Sequence, residues 1–158
     1  MIHSETSKLQ NFFGKGKLFH YKKGETILRS GDLPQGVMFL KSGYARLESI
    51  SKEGKELTLV IYMPGEFFPV VWTFFGERAS IYDLEALTNC EIVRVPREEL
   101  MDFLRINPDV FFDITKHILT RFQLALRRMT YLTFGNAAAK LASILLICGK
   151  EFGVKKDE

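Results

Sequence analysis

The chain has 158 residues, 46% of them hydrophobic and 26% charged. That suffices for one domain with a real core plus an added element, and excludes a disordered chain. A net charge of +3 is too small by itself to mark a nucleic-acid binder. No apolar run approaches the ~20 residues of a membrane span. Met1-Ile2-His3-Ser4-Glu5 lacks the basic and hydrophobic regions of a secretion signal. Cys90 and Cys148 stand far apart, form no metal or redox motif, and suit a reducing, cytoplasmic setting.

Thr6 to Phe13 reads as a short helix. Up to Pro96 the chain is then a series of short apolar runs broken by Gly24, Gly31-Asp32, Gly36, Gly43, Gly54 and Pro64-Gly65. The runs are Thr26 to Arg29, Val37 to Leu40, Tyr44 to Ser49, Glu56 to Tyr62, Tyr82 to Leu87 and Cys90 to Val95. Short strands at this spacing predict a sandwich, jelly roll or barrel. Ser51-Lys52-Glu53-Gly54-Lys55 reads as a hairpin turn in which Gly supplies the positive φ.

After Pro96 the period lengthens to that of helices. Arg97 to Leu104 forms one, closed by Asn107-Pro108, where Asn107 can cap the next helix and Pro108 suits its first turn. Neither Gly nor Pro interrupts Asp109 to Phe134, which predicts a long helix. Gly135-Asn136 marks a break, and Ala137 to Cys148 forms a last helix ending at Gly149. The fold class is mainly β with C-terminal helices.

In the long helix Ile118, Phe122, Ala125, Met129 and Leu132 are spaced as a coiled-coil seam. A second apolar set, Phe112, Leu119, Leu126 and Phe134, lies on a neighbouring face. Both faces could pack inside one subunit. A small β domain has little surface to cover two faces of so long a helix, which favours a twofold homodimer through the seam. The region between Asp113 and Glu151 holds six basic residues, Lys116, Arg121, Arg127, Arg128, Lys140 and Lys150, and no acidic one. Their spread over several faces reads as a solvated basic surface rather than a groove reader.

The run Gly24-Glu25-Thr26-Ile27, Gly31-Asp32 and Val37 to Gly43 resembles the cyclic-nucleotide-binding domain of the Crp/Fnr transcription regulators. Gly54-Lys55-Glu56, Pro64-Gly65-Glu66-Phe67-Phe68, Cys90 to Val95 and Ile106-Asn107-Pro108-Asp109 continue the match, which spans about Phe19 to Gly149. The resemblance implies a β-roll sensor with a short helix over residues 1–107, a dimerisation helix over 108–134, and over 135–158 the first helix leading to a DNA-binding winged helix. The chain stops at Glu158, before a recognition helix would fit. DNA would therefore be reached only through a part absent here. A stand-alone β-roll module that binds a small molecule or protein without a DNA step fits the same residues.

The effector site is where the family pattern fails. Family members that bind nucleotides follow Gly-Glu-Phe-Phe with Gly-Glu and a small residue, giving a carboxylate for the ribose and free N–H groups for the phosphate. Here Pro69-Val70-Val71 stands there, so Val70 brings no carboxylate and Pro69 removes a donor. Arg78-Ala79-Ser80 resembles the arginine–hydroxyl pair of the phosphate cradle with the hydroxyl one position late; a plain surface turn is the alternative for Arg78. The pair matching the base-binding Thr-Ser of the cyclic-AMP-responsive member is Ala125-Leu126. These departures argue against cyclic AMP, since each unpaired buried group costs ~1–3 kcal/mol.

Phe67, Phe68, Val70, Val71 and Trp72, with Arg78, Ser80, Tyr82, Ala125 and Leu126, are the candidate pocket residues. Two readings stand: a pocket collapsed on its own rings, or one for a small apolar effector. The cofactor is left unassigned. The cysteine cluster of iron–sulfur-sensing members is missing, and His3, His20 and His117 offer no recognisable haem-ligand setting. No metal site is expected. Asp83 with Glu85 on a strand, and Asp113 with His117 on the helix, are pairings that could suggest catalysis, and surface ion pairs account for both better than an enzyme does.

Overall fold

The computed structural model describes residues 6–76, 78–134 and 136–153. His3, Glu77, Gly135 and residues 154–158 lie outside the described residues, as does the side chain of Lys150. The chain divides into two compact units, one running through Phe111 and the other starting at Phe112.

The first unit opens with helix α1, Thr6–Phe13, and continues into eight strands. These are β1 Lys17–Tyr21, β2 Thr26–Leu28, β3 Val37–Ser42, β4 Ala45–Ile50, β5 Glu56–Tyr62, β6 Phe67–Phe68, β7 Asp83–Ala86 and β8 Cys90–Val95. A one-and-a-half-turn helix, α2 Val70–Phe75, interrupts the series after β6, and α3 Arg97–Ile106 closes it. The strands form two four-stranded antiparallel sheets, ordered β1-β8-β3-β6 and β2-β7-β4-β5. This is the expected β-roll of the cyclic-nucleotide-binding type.

Sequence alternation explains the core. Met38, Leu40, Cys90 and Ile92 from the first sheet meet Ala45, Leu84 and Ala86 from the second, with Phe68 among them. The outer side of the first sheet is covered by α1, whose fully buried Phe13 stacks on Phe39 at 4.7 Å between centroids. Phe12 stacks in turn on Phe103 of α3 at 4.5 Å, so much of the unusual phenylalanine content ties the helices to the roll. The 51–55 hairpin forms as expected, with Ser51 N donating to the Lys55 carbonyl and Gly54 at φ 77°.

Three expectations need correction. Strand β1 and the two-residue strand β6 escaped the apolar-run reading, because β1 carries Lys17 and His20 among its apolar residues and β6 is too short to show a period. Asn107 was expected to cap the next helix, yet its side-chain amide reaches back and donates to the Phe103 carbonyl at 2.8 Å, closing α3. The last helix, α5, spans Ala137–Phe152 and runs through Gly149. A glycine in a helix costs only ~1 kcal/mol, and the Gly149 carbonyl accepts from Gly153 N, so the helix continues another turn.

The long helix, α4, is Pro108–Phe134. In the second unit Asn136 starts α5, its side chain accepting from Ala139 N at 2.9 Å.

Candidate effector site

The run Phe67 to Phe75 is divided between a strand and a helix. Phe68 pairs with Met38 and Phe67 with Phe39 across to β3. Alternation along the strand sends the two rings to opposite faces. Phe68 enters the core of the roll, 1% exposed, with its centroid 4.8 Å from the ring of Tyr62. Phe67 is buried on the other side, 6.5 Å from Phe13.

The Phe68–Pro69 peptide is cis, and α2 begins directly after it. The Pro69 carbonyl accepts from both Thr73 N at 3.0 Å and the Thr73 hydroxyl at 2.8 Å, and Thr73 is fully buried. Proline loses nothing at a helix start, where its N–H would be unpaired anyway. Along α2, Val70 and Trp72 are half-buried, while Val71 and Phe75 point outward at 67% and 76% exposure. Phe74 lies edge-on to Phe111 at 6.1 Å. The helix stops where Gly76, at φ 67°, donates to the Trp72 carbonyl, and Arg97 of α3 holds its last carbonyls.

The other expected residues are spread out. Arg78 is exposed. The Ser80 hydroxyl donates to the Tyr82 carbonyl at 2.7 Å, and Ser80 N donates to the Asp32 carbonyl, so this residue holds its own loop. Ala125 and Leu126 lie on α4, both exposed, in the second unit. The seam residues Phe122, Ala125 and Met129 are exposed on that helix, Leu132 is at the edge of exposure, and Ile118 is half-buried. The structure thus gathers Phe67 to Trp72 in one continuous segment and joins Ser80 to Tyr82.

The carboxylate pairs are engaged elsewhere. Asp83 accepts from Ser30 N at 3.0 Å, and Asp113 pairs with Lys116 at 3.1 Å. Glu85 belongs to a charge cluster that the sequence reading missed. On the face of the second sheet turned from the core, Arg46 Nη2 lies 3.0 Å from Glu48, 3.2 Å from Glu56 and 3.1 Å from Glu85. That nitrogen carries two hydrogens, and they go to Glu56 and Glu85. Glu48 Oε2 is left buried without a hydrogen bond. Burial therefore pushes the Glu48 carboxyl above the usual range, although the Arg46 charge opposes it. Burial also tends to lower Arg46, but its hydrogen bond to Glu85 and the surrounding carboxylates raise it overall. The sequence signal was there: Arg46 and Glu48 two apart on one strand, matching Asp83 and Glu85 on the next. Among the described residues no group of three or more His, Cys, Asp or Glu is placed to hold a metal ion, and no helix is long and apolar enough to cross a membrane.

Comparison with known proteins decides the family. The model of the cyclic nucleotide-binding domain matches residues 18–107. The chain belongs to this family. It is 25% identical over 135 residues to the cAMP-activated global transcriptional regulator CRP of Haemophilus influenzae, covering 85% of this chain and 60% of that protein. Among solved structures, the c-di-GMP responsive global regulator CLP of Xanthomonas campestris superposes with a TM-score of 0.82 at 19% identity, over 95% of this chain and 75% of that one. A CRP/FNR-family transcriptional regulator from Thermus thermophilus gives 0.69 at 25% identity, over 90% and 70%. The chain is thus homologous to Crp/Fnr-type regulators and spans 60% of the length of the Haemophilus relative. These relatives are transcription regulators, not enzymes.

Proposed function

We propose that this chain is the sensory and dimerising region of a Crp/Fnr-type transcription regulator whose effector is not cyclic AMP. The observation that carries this reading is the start of α2 directly after Phe68: Pro69 caps it and half-buried Val70 opens it, where nucleotide-binding relatives place their polar contacts. Val70 follows without a carboxylate, and Ser80 is committed to its own loop. A sugar phosphate seated there would lose its hydroxyl and phosphate partners at ~1–3 kcal/mol for each neutral group. The Xanthomonas regulator is responsive to c-di-GMP, in keeping with a roll of this kind serving effectors besides cyclic AMP. A small apolar molecule is the class that suits the aromatic and aliphatic lining around α2.

In this reading α4 pairs with its copy through Ile118, Phe122, Ala125, Met129 and Leu132. DNA contact belongs to the part of the relatives' length that this chain does not span. The test is to fuse the chain to a DNA-binding domain that occupies its operator only when dimerised. The wild-type fusion should repress a reporter, and Phe122→Glu or Met129→Glu should abolish repression. Repression by both variants equal to wild type would reject the dimerising role.

A further inference from the structure

Alternation along β8 places Arg94 on the same side as Cys90 and Ile92, which lie in the core. A guanidinium on the core-facing side of a strand calls for a reason. Across the sheet Arg94 stands between Lys17 of β1 and Met38 of β3. Its guanidinium carbon lies 4.3 Å from the centroid of Phe19, and Nη2 donates to the Tyr21 hydroxyl at 3.4 Å. Its Nε is buried and has no hydrogen-bond partner. Gly36 keeps this place open, since at φ 134° it passes the Val95 carbonyl and the Arg94 stem so closely that a Cβ would come within 2.6 Å and 3.0 Å of them.

Arg94 lines an open cavity of about 580 Å³ beneath the turn joining β2 to β3. Ile27, Leu28, Leu33 and Met38 are its apolar residues, of which Leu33 alone is exposed, and Arg29 and Asp32 stand with Arg94 among its lining. Met38 of its lining pairs with Phe68 across to β6, so the cavity backs onto the core that holds Phe68, while none of Phe67–Phe75 lines it. The lining carries two cations and one carboxylate, which suits a singly charged anion and disfavours a phosphate dianion. Leu33, 61% exposed, gives a short hydrocarbon tail an apolar surface to meet. We propose that this cavity is a second binding site, for a small organic monocarboxylate, with Arg94 as the anchor and Arg29 as the outer cation.

The test is calorimetric titration of the purified chain with hexanoate, with hexanamide as the uncharged match and inorganic phosphate as the alternative anion. Hexanoate should bind in the millimolar range or tighter, and hexanamide should not. Arg94→Met, which keeps the apolar stem, should weaken hexanoate by about tenfold or more, and Arg29→Gln by a smaller factor. Amide-proton shifts in the wild-type chain should localise to Leu28, Arg29, Leu33 and Arg94, a readout that stands even where a variant fails to fold. Equal binding of the amide, preference for phosphate, no response to hexanoate, or shifts confined to Phe67–Phe75 would each overturn the proposal. The last result would instead support an apolar site at the aromatic segment, so the two sites are told apart.

Discussion

Arg97 Nε donates to the Thr73 carbonyl at 2.8 Å, and its Nη2 donates to the Phe74 carbonyl at 3.3 Å. A side chain from the first turn of α3 thereby satisfies carbonyls in the last turn of α2, which have no partner within so short a helix. Helix α2 carries the residues of the candidate effector site, so its position is fixed from a different element. A ligand or partner that displaced α2 would have to break this contact, which gives the site a route to α3.

Arg97→Met keeps the stem and removes both donors. It should lower unfolding stability by ~1–3 kcal/mol in denaturant titration, because buried carbonyls lose charged partners. Amides of Thr73 and Gly76 should exchange faster than in the wild type. Unchanged exchange there would show that α2 holds its place without Arg97.

Phe68 fills the roll beside Tyr62, so Phe68→Ala should cost ~3–5 kcal/mol of stability through the void it leaves. Val71→Ala, on the exposed side of α2, should cost little. Similar losses for the two in thermal melts would contradict the assignment of Phe68 to the core.

Glu48 gives a pH dependence with a definite sign. Its folded-state pKa is raised by burial, against the opposing charge of Arg46. The group thus favours folding while protonated at low pH, and that contribution is lost as pH rises through the raised value. Glu48→Gln removes the penalty at neutral pH while leaving Arg46 its bonds to Glu56 and Glu85. The melting temperature of the variant relative to wild type should therefore climb as pH rises through and above the ordinary carboxylate range. A difference that falls with pH would mean that the contact with Arg46 outweighs the burial of the charge.

The exposed seam of α4 predicts a dimer in solution. Sedimentation should give twice the chain mass for the wild type and the single chain mass for Phe122→Glu and Met129→Glu, each with native circular dichroism. A dimer that persists in both variants would place the interface elsewhere.

Much of the roll was readable in advance. Strands β5 and β8 follow their apolar runs from end to end, β5 lying between Gly54 and Pro64 and β8 between Asn89 and Pro96, residues that interrupt a strand. The long helix was legible for the converse reason, having no breaker from Asp109 to Phe134. The candidate site was legible as composition but not as geometry. That Phe67 and Phe68 face opposite ways follows from a strand of only two residues, visible once its pairing with β3 is known. Arg97 on α2 and Arg94 beside Phe19 join residues far apart in sequence, where no local period could announce them, whereas Arg46 and Glu48 stand two apart on one strand.

Whether the roll accepts a cyclic nucleotide is measured most directly by calorimetric titration of the wild-type chain with cyclic AMP. No saturable heat and no rise in melting temperature at micromolar nucleotide are predicted, since a ligand that binds only the folded state must stabilise it. Saturable micromolar binding, lost on Ser80→Ala or Arg78→Ala, would contradict the account.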